Sequence, residues 1–157
     1  MPDMSFSGAV NATYRPAGTP PDLEGPKTTA KFLATGSLTD GRFGLFQWDM
    51  TPGSGGPGAH YHKTFSESFY VLDGTVRLYN GERWVDAEKG DYLYVPENGI
   101  HAFRNDSDEP ASMLILFAPG PPREQYFLES AEIARSGRTL TGEERTEFLA
   151  RHDQYMV

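Results

Sequence analysis

From about Lys31 to Ala118 the chain is written in short apolar or alternating runs divided by turn residues: KFLAT, FGLFQWDM, ESFYVLD, TVRLYN, DYLYVP, HAFRN and SMLILFA. Alternation with a period of two puts every second side chain on one face, so these runs predict β-strands; their close, regular spacing predicts a sandwich or barrel. Asp73-Gly74 and Asn80-Gly81 have the form of tight hairpin turns, because Asn, Asp and Gly tolerate the positive φ such turns demand. After APGPP the period changes. REQYFLESAEIAR and EERTEFLARHDQYM set apolar residues at helical spacing and predict two helices, the second opened by a capping box of Thr141 and Glu144. Ahead of the strands, Pro2 and the group Pro16, Pro20, Pro21 and Pro26 predict an extended arm with at most a short edge strand. The chain thus divides into an arm over residues 1–28, an all-β barrel over 29–119 and a helical extension over 120–157.

A chain of 157 residues buries roughly 70% of its unfolded surface, so neither a disulfide nor a structural metal is needed for folding. Any metal would therefore serve function. Acidic residues number 22 against 14 basic, the formal charge is -8, and no cluster of Lys or Arg suits a phosphate backbone; a nucleic-acid partner is not expected. The absence of cysteine excludes thiolate zinc sites, iron–sulfur clusters and Cys nucleophiles, and agrees with a reducing compartment. No stretch approaches about 18 apolar residues, and the first residues lack a basic segment followed by an apolar one. These features predict a soluble, unprocessed cytoplasmic protein with no membrane partner.

Imidazole and carboxylate remain as metal ligands, and GPGAHYHKTFSESFYVLDG, residues 56–74, concentrates them. On a strand His60 and His62 point the same way, about 7 Å apart along the backbone. Metal–nitrogen bonds of about 2.1 Å let both rings reach one ion. His-x-His is also common on solvated strands, so the pair alone leaves both readings open. Glu67 has the wrong parity to continue the face of His62, but KTFS can turn the chain and restart a strand with Glu67, Phe69 and Val71 on one face. A carboxylate leading an inward apolar face is costly to bury unless a cation meets it; the alternative is a solvated strand end near Lys63. In GDYLYVPENGIHAFRN, residues 90–105, Pro96 ends a strand, Asn98-Gly99 turns, and His101 opens the next strand with Phe103 and Asn105 on its face.

The two segments together resemble the two motifs of the cupin superfamily. His60, His62, Glu67 and Gly74 match the first, with Ser54 standing where its leading glycine belongs, between Gly53 and Gly55. Gly90, Pro96, His101 and Asn105 match the second, with Asn98 in place of its middle glycine; Asn also tolerates positive φ. GPPREQYFLES and the helices that follow look like the tail of single-domain, quercetin 2,3-dioxygenase-like cupins. The resemblance implies an all-β, double-stranded β-helix (jelly-roll) barrel of eight strands. It further implies one divalent transition metal (Fe, Mn, Ni, Co, Cu or Zn) held inside by His60, His62, Glu67 and His101. Such a centre keeps one or two open positions for water or the oxygens of a small molecule.

Aromatic residues on strands are more often core than pocket, and this covers Phe46, Trp48, Phe69, Tyr92, Tyr94 and Phe103. Phe69 and Phe103 share the parity of the ligands and are the pocket candidates. Gln47 is a third candidate, as a hydrogen-bond donor, with an edge or dimer-facing position as the alternative. His152 falls on a helical stripe with Phe148, Leu149, Tyr155 and Met156 and reads as a hydrogen-bonded core residue. Asn105 is expected to cap or brace the His101 strand.

Three functions fit. The first is a quercetinase-type oxygenase acting on a small phenolic or enolic substrate and dioxygen, with Glu67 as both ligand and general base. The second is a redox-neutral isomerase, cyclase, dehydratase or decarboxylase using the metal as a Lewis acid. The third is a metal and small-ligand binding protein without catalysis. The strand edges and the Pro-rich arm predict a homodimer with arm exchange.

Overall fold

The strand pattern folds as two facing antiparallel sheets with helices at one end. The computed structural model describes residues 10–157; residues 1–9 of the expected arm lie outside the described residues. In chain order the elements are β1 (Leu23–Glu24), β2 (Thr28–Ala34), β3 (Gly44–Met50), β4 (His60–Tyr61), β5 (Ser66–Asp73), β6 (Thr75–Tyr79) and β7 (Trp84–Glu88). There follow β8 (Tyr92–Val95), β9 (Ala102–Arg104), β10 (Ala111–Ala118), α1 (Arg123–Ser136), α2 (Gly142–Arg151) and β11 (Tyr155–Met156). One sheet runs β1-β2-β3-β10-β5-β8, the second β7-β6-β9, and a two-stranded piece joins β11 to β4. No helix among the described residues is long and apolar enough to cross a membrane.

Alternation decides what is buried. Met113, Ile115 and Phe117 of β10, Phe69 and Val71 of β5, and Val76 and Leu78 of β6 turn inward and are essentially inaccessible to solvent. Each such side chain contributes roughly 1.5–3 kcal/mol of burial. Glu67 occupies the same inward series as Phe69 and Val71 and is also buried. Tyr92 and Tyr94 fall on the opposite face of β8 and are more than half exposed.

Asp73-Gly74 departs from the hairpin expected of it. β5 pairs with β8 and β10, and β6 with β7 and β9, so the dipeptide is a corner at which the chain leaves one sheet for the other. Gly74 is required there, since its φ is 72° and an added Cβ would lie 2.3 Å from the Pro110 carbonyl oxygen. Asn80-Gly81 does open a hairpin, but a wider one: the Asn80 side-chain oxygen accepts from the main-chain N–H groups of Glu82 and Arg83 before β7 begins.

The described part of the arm packs on its own chain. Leu23–Glu24 adds an edge strand to β2, and the Arg15 guanidinium donates to Asp22 and to the Phe32 carbonyl. At the other end, Thr141 caps α2 by accepting from the Glu144 N–H at 3.1 Å. The Glu144 carboxylate reaches Arg138 instead of completing a reciprocal box. α2 also stops earlier than its periodicity suggests. After His152 the chain enters the left-handed region at Asp153 (φ 54°), and Tyr155–Met156 pairs as β11 with the strand that carries His60.

Candidate metal centre

β4 lasts two residues because His60 exchanges main-chain hydrogen bonds with His101, N to O at 3.1 and 3.0 Å, which locks the two histidine segments side by side. The chain then turns, and Glu67 enters at the start of β5. The 98–99 turn delivers His101: Asn98 takes φ 68° and donates its N–H to the His62 carbonyl at 2.7 Å. Asn105 holds the far end of that segment, with its amide donating to Thr51 and Glu109 carbonyls and its oxygen accepting from Ser107. His60, His62, Glu67 and His101 are all buried, and each offers a ligand atom within 4.8 Å of the others.

The three rings are oriented by the main chain. The Nδ1 atoms of His60, His62 and His101 lie 2.8, 2.6 and 2.9 Å from the carbonyl oxygens of Gly58, Asp153 and Gly99. Carbonyls only accept, so each Nδ1 carries a proton and each ring turns its Nε2 inward, the orientation that metal-ligating histidines adopt. The Glu67 Oε2 lies 3.1 Å from Nε2 of His62 and 2.7 Å from Nε2 of His101. Lone pairs at these distances repel unless a proton or a cation lies between them, so the donor set fits a divalent ion with N and O ligands.

The titration of the four groups reflects the same crowding. Burial, reinforced by the charge on His101, lowers His60 to about 4, so it is neutral at pH 7. Burial alone would raise the Glu67 carboxyl, but the charge and hydrogen bonds of His101 and His62 outweigh it and hold the group far below the usual carboxylate range. Burial likewise opposes a charged His101, and the Glu67 carboxylate overcomes this and raises it.

His60 and Glu67 form the base of a cavity of about 320 Å³, walled by Trp48, Phe103 and Phe117 from the strands and by Phe127 from α1. Phe103 faces this space; Phe69 does not. It lies in the core beneath, with its ring 5.9 Å from that of His101 and 5.7 Å from that of Phe103. For Gln47 the structure favours the outward alternative over the pocket. Phe46 and Trp48 point inward from β3, so Gln47 between them points out, where its amide donates to Asp49 and approaches Ser112. His152 caps α2 and meets Glu129 at 3.0 Å, outside the cavity lining.

Four polar residues of the cavity, Arg123, Ser130, Arg145 and Gln154, are not evident from strand parity. Arg123 at the start of α1 is buried, and donates to the His152 carbonyl at 2.9 Å and to the Gln154 side-chain oxygen at 3.1 Å. Helical spacing from Arg123 through Phe127 to Ser130 and Ala131 is the signal that lays this face of α1 over the barrel mouth.

The sequence pattern of the family described as "Cupin domain" matches residues 46–117. The matched stretch, residues 46–117, is a cupin domain and holds all four candidate ligands. The double-stranded β-helix expected from the two motifs is the fold observed. Over 95 residues the chain is 30% identical to quercetin 2,3-dioxygenase of Bacillus subtilis (strain 168), covering 57% of this chain and 26% of that protein. The chain thus spans about a quarter of that relative's length. Ectoine synthase from P. lautus superposes with a TM-score of 0.58 at 17% identity, covering 73% of this chain and 80% of that one. The polyketide cyclase RemF from Streptomyces resistomycificus gives 0.53 at 22% identity, covering 62% of this chain and 68% of that one. At these identities the two structures attest the fold of the cupin alone.

Proposed function

We propose that this cupin is a metal-dependent oxygenase of quercetinase type, acting on a small phenolic or enolic substrate at a centre formed by His60, His62, Glu67 and His101. The observation that carries the reading is the convergence of three imidazoles and one carboxylate, of which His60 and Glu67 line an apolar, aromatic-walled cavity. A bound divalent transition ion supplies Lewis acidity and, for the redox-active members, electron transfer with dioxygen. Glu67 is the general base: its carboxylate is kept ionised by His62 and His101, faces the cavity, and takes the proton of a substrate hydroxyl. Trp48, Phe103 and Phe117 exclude water from the reacting face.

Anaerobic reconstitution with a panel of ions, followed by a screen of flavonols, catechols and β-diketones in an oxygen electrode, tests the reading. Oxygen uptake that requires both ion and substrate is expected, and Glu67→Gln is expected to reduce it by about 10²-fold or more. A second reading, redox-neutral isomerisation, cyclisation or decarboxylation, is favoured by the buried Arg123 beside the same base, since a fixed cation stabilises a developing oxyanion without dioxygen. Substrate conversion without oxygen uptake would replace the first reading by the second.

A further inference from the structure

Arg123 is 4% exposed, yet among the described residues no carboxylate pairs with it. Two of its nitrogens donate to neutral acceptors, the His152 carbonyl and the Gln154 amide oxygen, and its Nε has no partner at all. Guanidinium stays protonated in proteins, so a full positive charge and an orphaned donor are buried at the edge of the cavity. The group is also held rigidly: its central carbon lies 4.2 Å from the centroid of Tyr126 and within 5.5 Å of those of Phe65, Phe117 and Phe127.

Anchoring of the C-terminal tail explains the two bonds that Arg123 makes. It does not explain the free Nε–H, nor why the anchor is a cation when both of its acceptors are neutral. The cavity as a whole has the same bias. Arg123 and Arg145 line it against a single acid, Glu67, already engaged by His62 and His101. The cavity lining therefore favours anions, and a divalent ion would add to this, although the whole chain carries a net charge of -8.

We infer that the substrate is an aromatic or enolic acid whose carboxylate is received by Arg123 while its hydroxyl faces Glu67 and His60. The inference rests on the metal-centre reading above for the second half of that placement, and on Arg123 alone for the first. A planar guanidinium with an unpartnered N–H suits a carboxylate oxygen in geometry as well as charge. The cavity of about 320 Å³ is at the small end for ligand sites and suits an acid of one or two rings.

Calorimetric titration with salicylate and with its neutral amide, salicylamide, at pH 7.5 isolates the carboxylate. It is carried out on wild type, Arg123→Met and Arg123→Lys, each metal-free and reconstituted, with metal content and circular dichroism recorded for every sample. Wild type is expected to prefer salicylate by about tenfold or more in both forms, Arg123→Met to lose that preference while binding salicylamide as before, and Arg123→Lys to keep part of it. Metal-free wild type without a preference for the acid, or a folded Arg123→Met protein that retains it, overturns the inference. Should Arg123→Met fail to fold, the metal-free wild-type titration decides. A protein that takes up no ion but still prefers the acid contradicts the metal-centre reading and leaves the Arg123 assignment standing.

Discussion

At the scale of single residues, the centre depends on where four protons sit. The carbonyls of Gly58, Asp153 and Gly99 fix the proton of each imidazole on Nδ1, and without an ion the contact between Glu67 and His101 needs a further proton on Nε2 of His101. The raised value of His101 expresses this. A group whose value is raised by folding keeps its proton to higher pH than an ordinary imidazole, so metal competes with that proton and affinity rises as pH rises through the raised value. His60 adds the opposite sign. Its value falls from 6.5 to about 4, so the unfolded chain takes up that proton first and the metal-free protein loses this contribution to stability as pH falls through the interval. Calorimetry of metal uptake in buffers of different ionisation enthalpy is expected to show proton release that shrinks as pH rises, and none at any pH if His101 is already neutral. The four candidate ligands are legible in the sequence because the His-x-His pair, the restart at Glu67 and the Asn98-Gly99 turn before His101 are local signals. Gln47 stays open between pocket and edge in the sequence, because alternation alone does not say which face of β3 turns inward; the packing of Phe46 and Trp48 decides that.

At the scale of elements, the tail beyond α2 is what periodicity alone misses. The stripe of Phe148, Leu149, His152, Tyr155 and Met156 continues at helical spacing, yet main-chain bonds from Asp153 to Ala150 and from Gln154 to Leu149 close the helix, and Asp153 reverses the chain without the glycine that commonly marks such a stop. The reversal is tied down by the Asp153 carboxylate, which accepts from the N–H groups of Lys63 and Thr64 at 2.8 and 2.9 Å and from the Thr64 hydroxyl. Its carbonyl meanwhile orients His62. Asp153→Ala removes the carboxylate bonds and loosens the carbonyl, so metal affinity is expected to fall by about 10–100-fold with helix and strand content unchanged. Competition titration against a chromogenic chelator reads this, and an unaltered affinity would show that the tail is only a lid on β4. The role of Arg123 is not legible in the sequence for a related reason. A charged residue opening a helix looks solvated until α1 is seen to lie across the barrel mouth.

At the scale of the whole molecule, the barrel and the centre are separable. The core of Phe46, Phe69, Val71, Val76, Met113, Ile115 and Phe117 lies between the sheets and is complete without an ion. The all-β class and the C-terminal helices could be read from alternation giving way to helical spacing. The handover between sheets at Gly74 could not, because its cause is the approach of Pro110, distant in sequence, just ahead of β10. Separation of fold from centre gives the most direct test. Elemental analysis after reconstitution is expected to find one divalent ion per wild-type chain and almost none in His60→Ala or His101→Ala, with circular dichroism superimposable on wild type. Variants that retain the wild-type metal content, or a wild-type protein that holds no ion at all, would contradict the account.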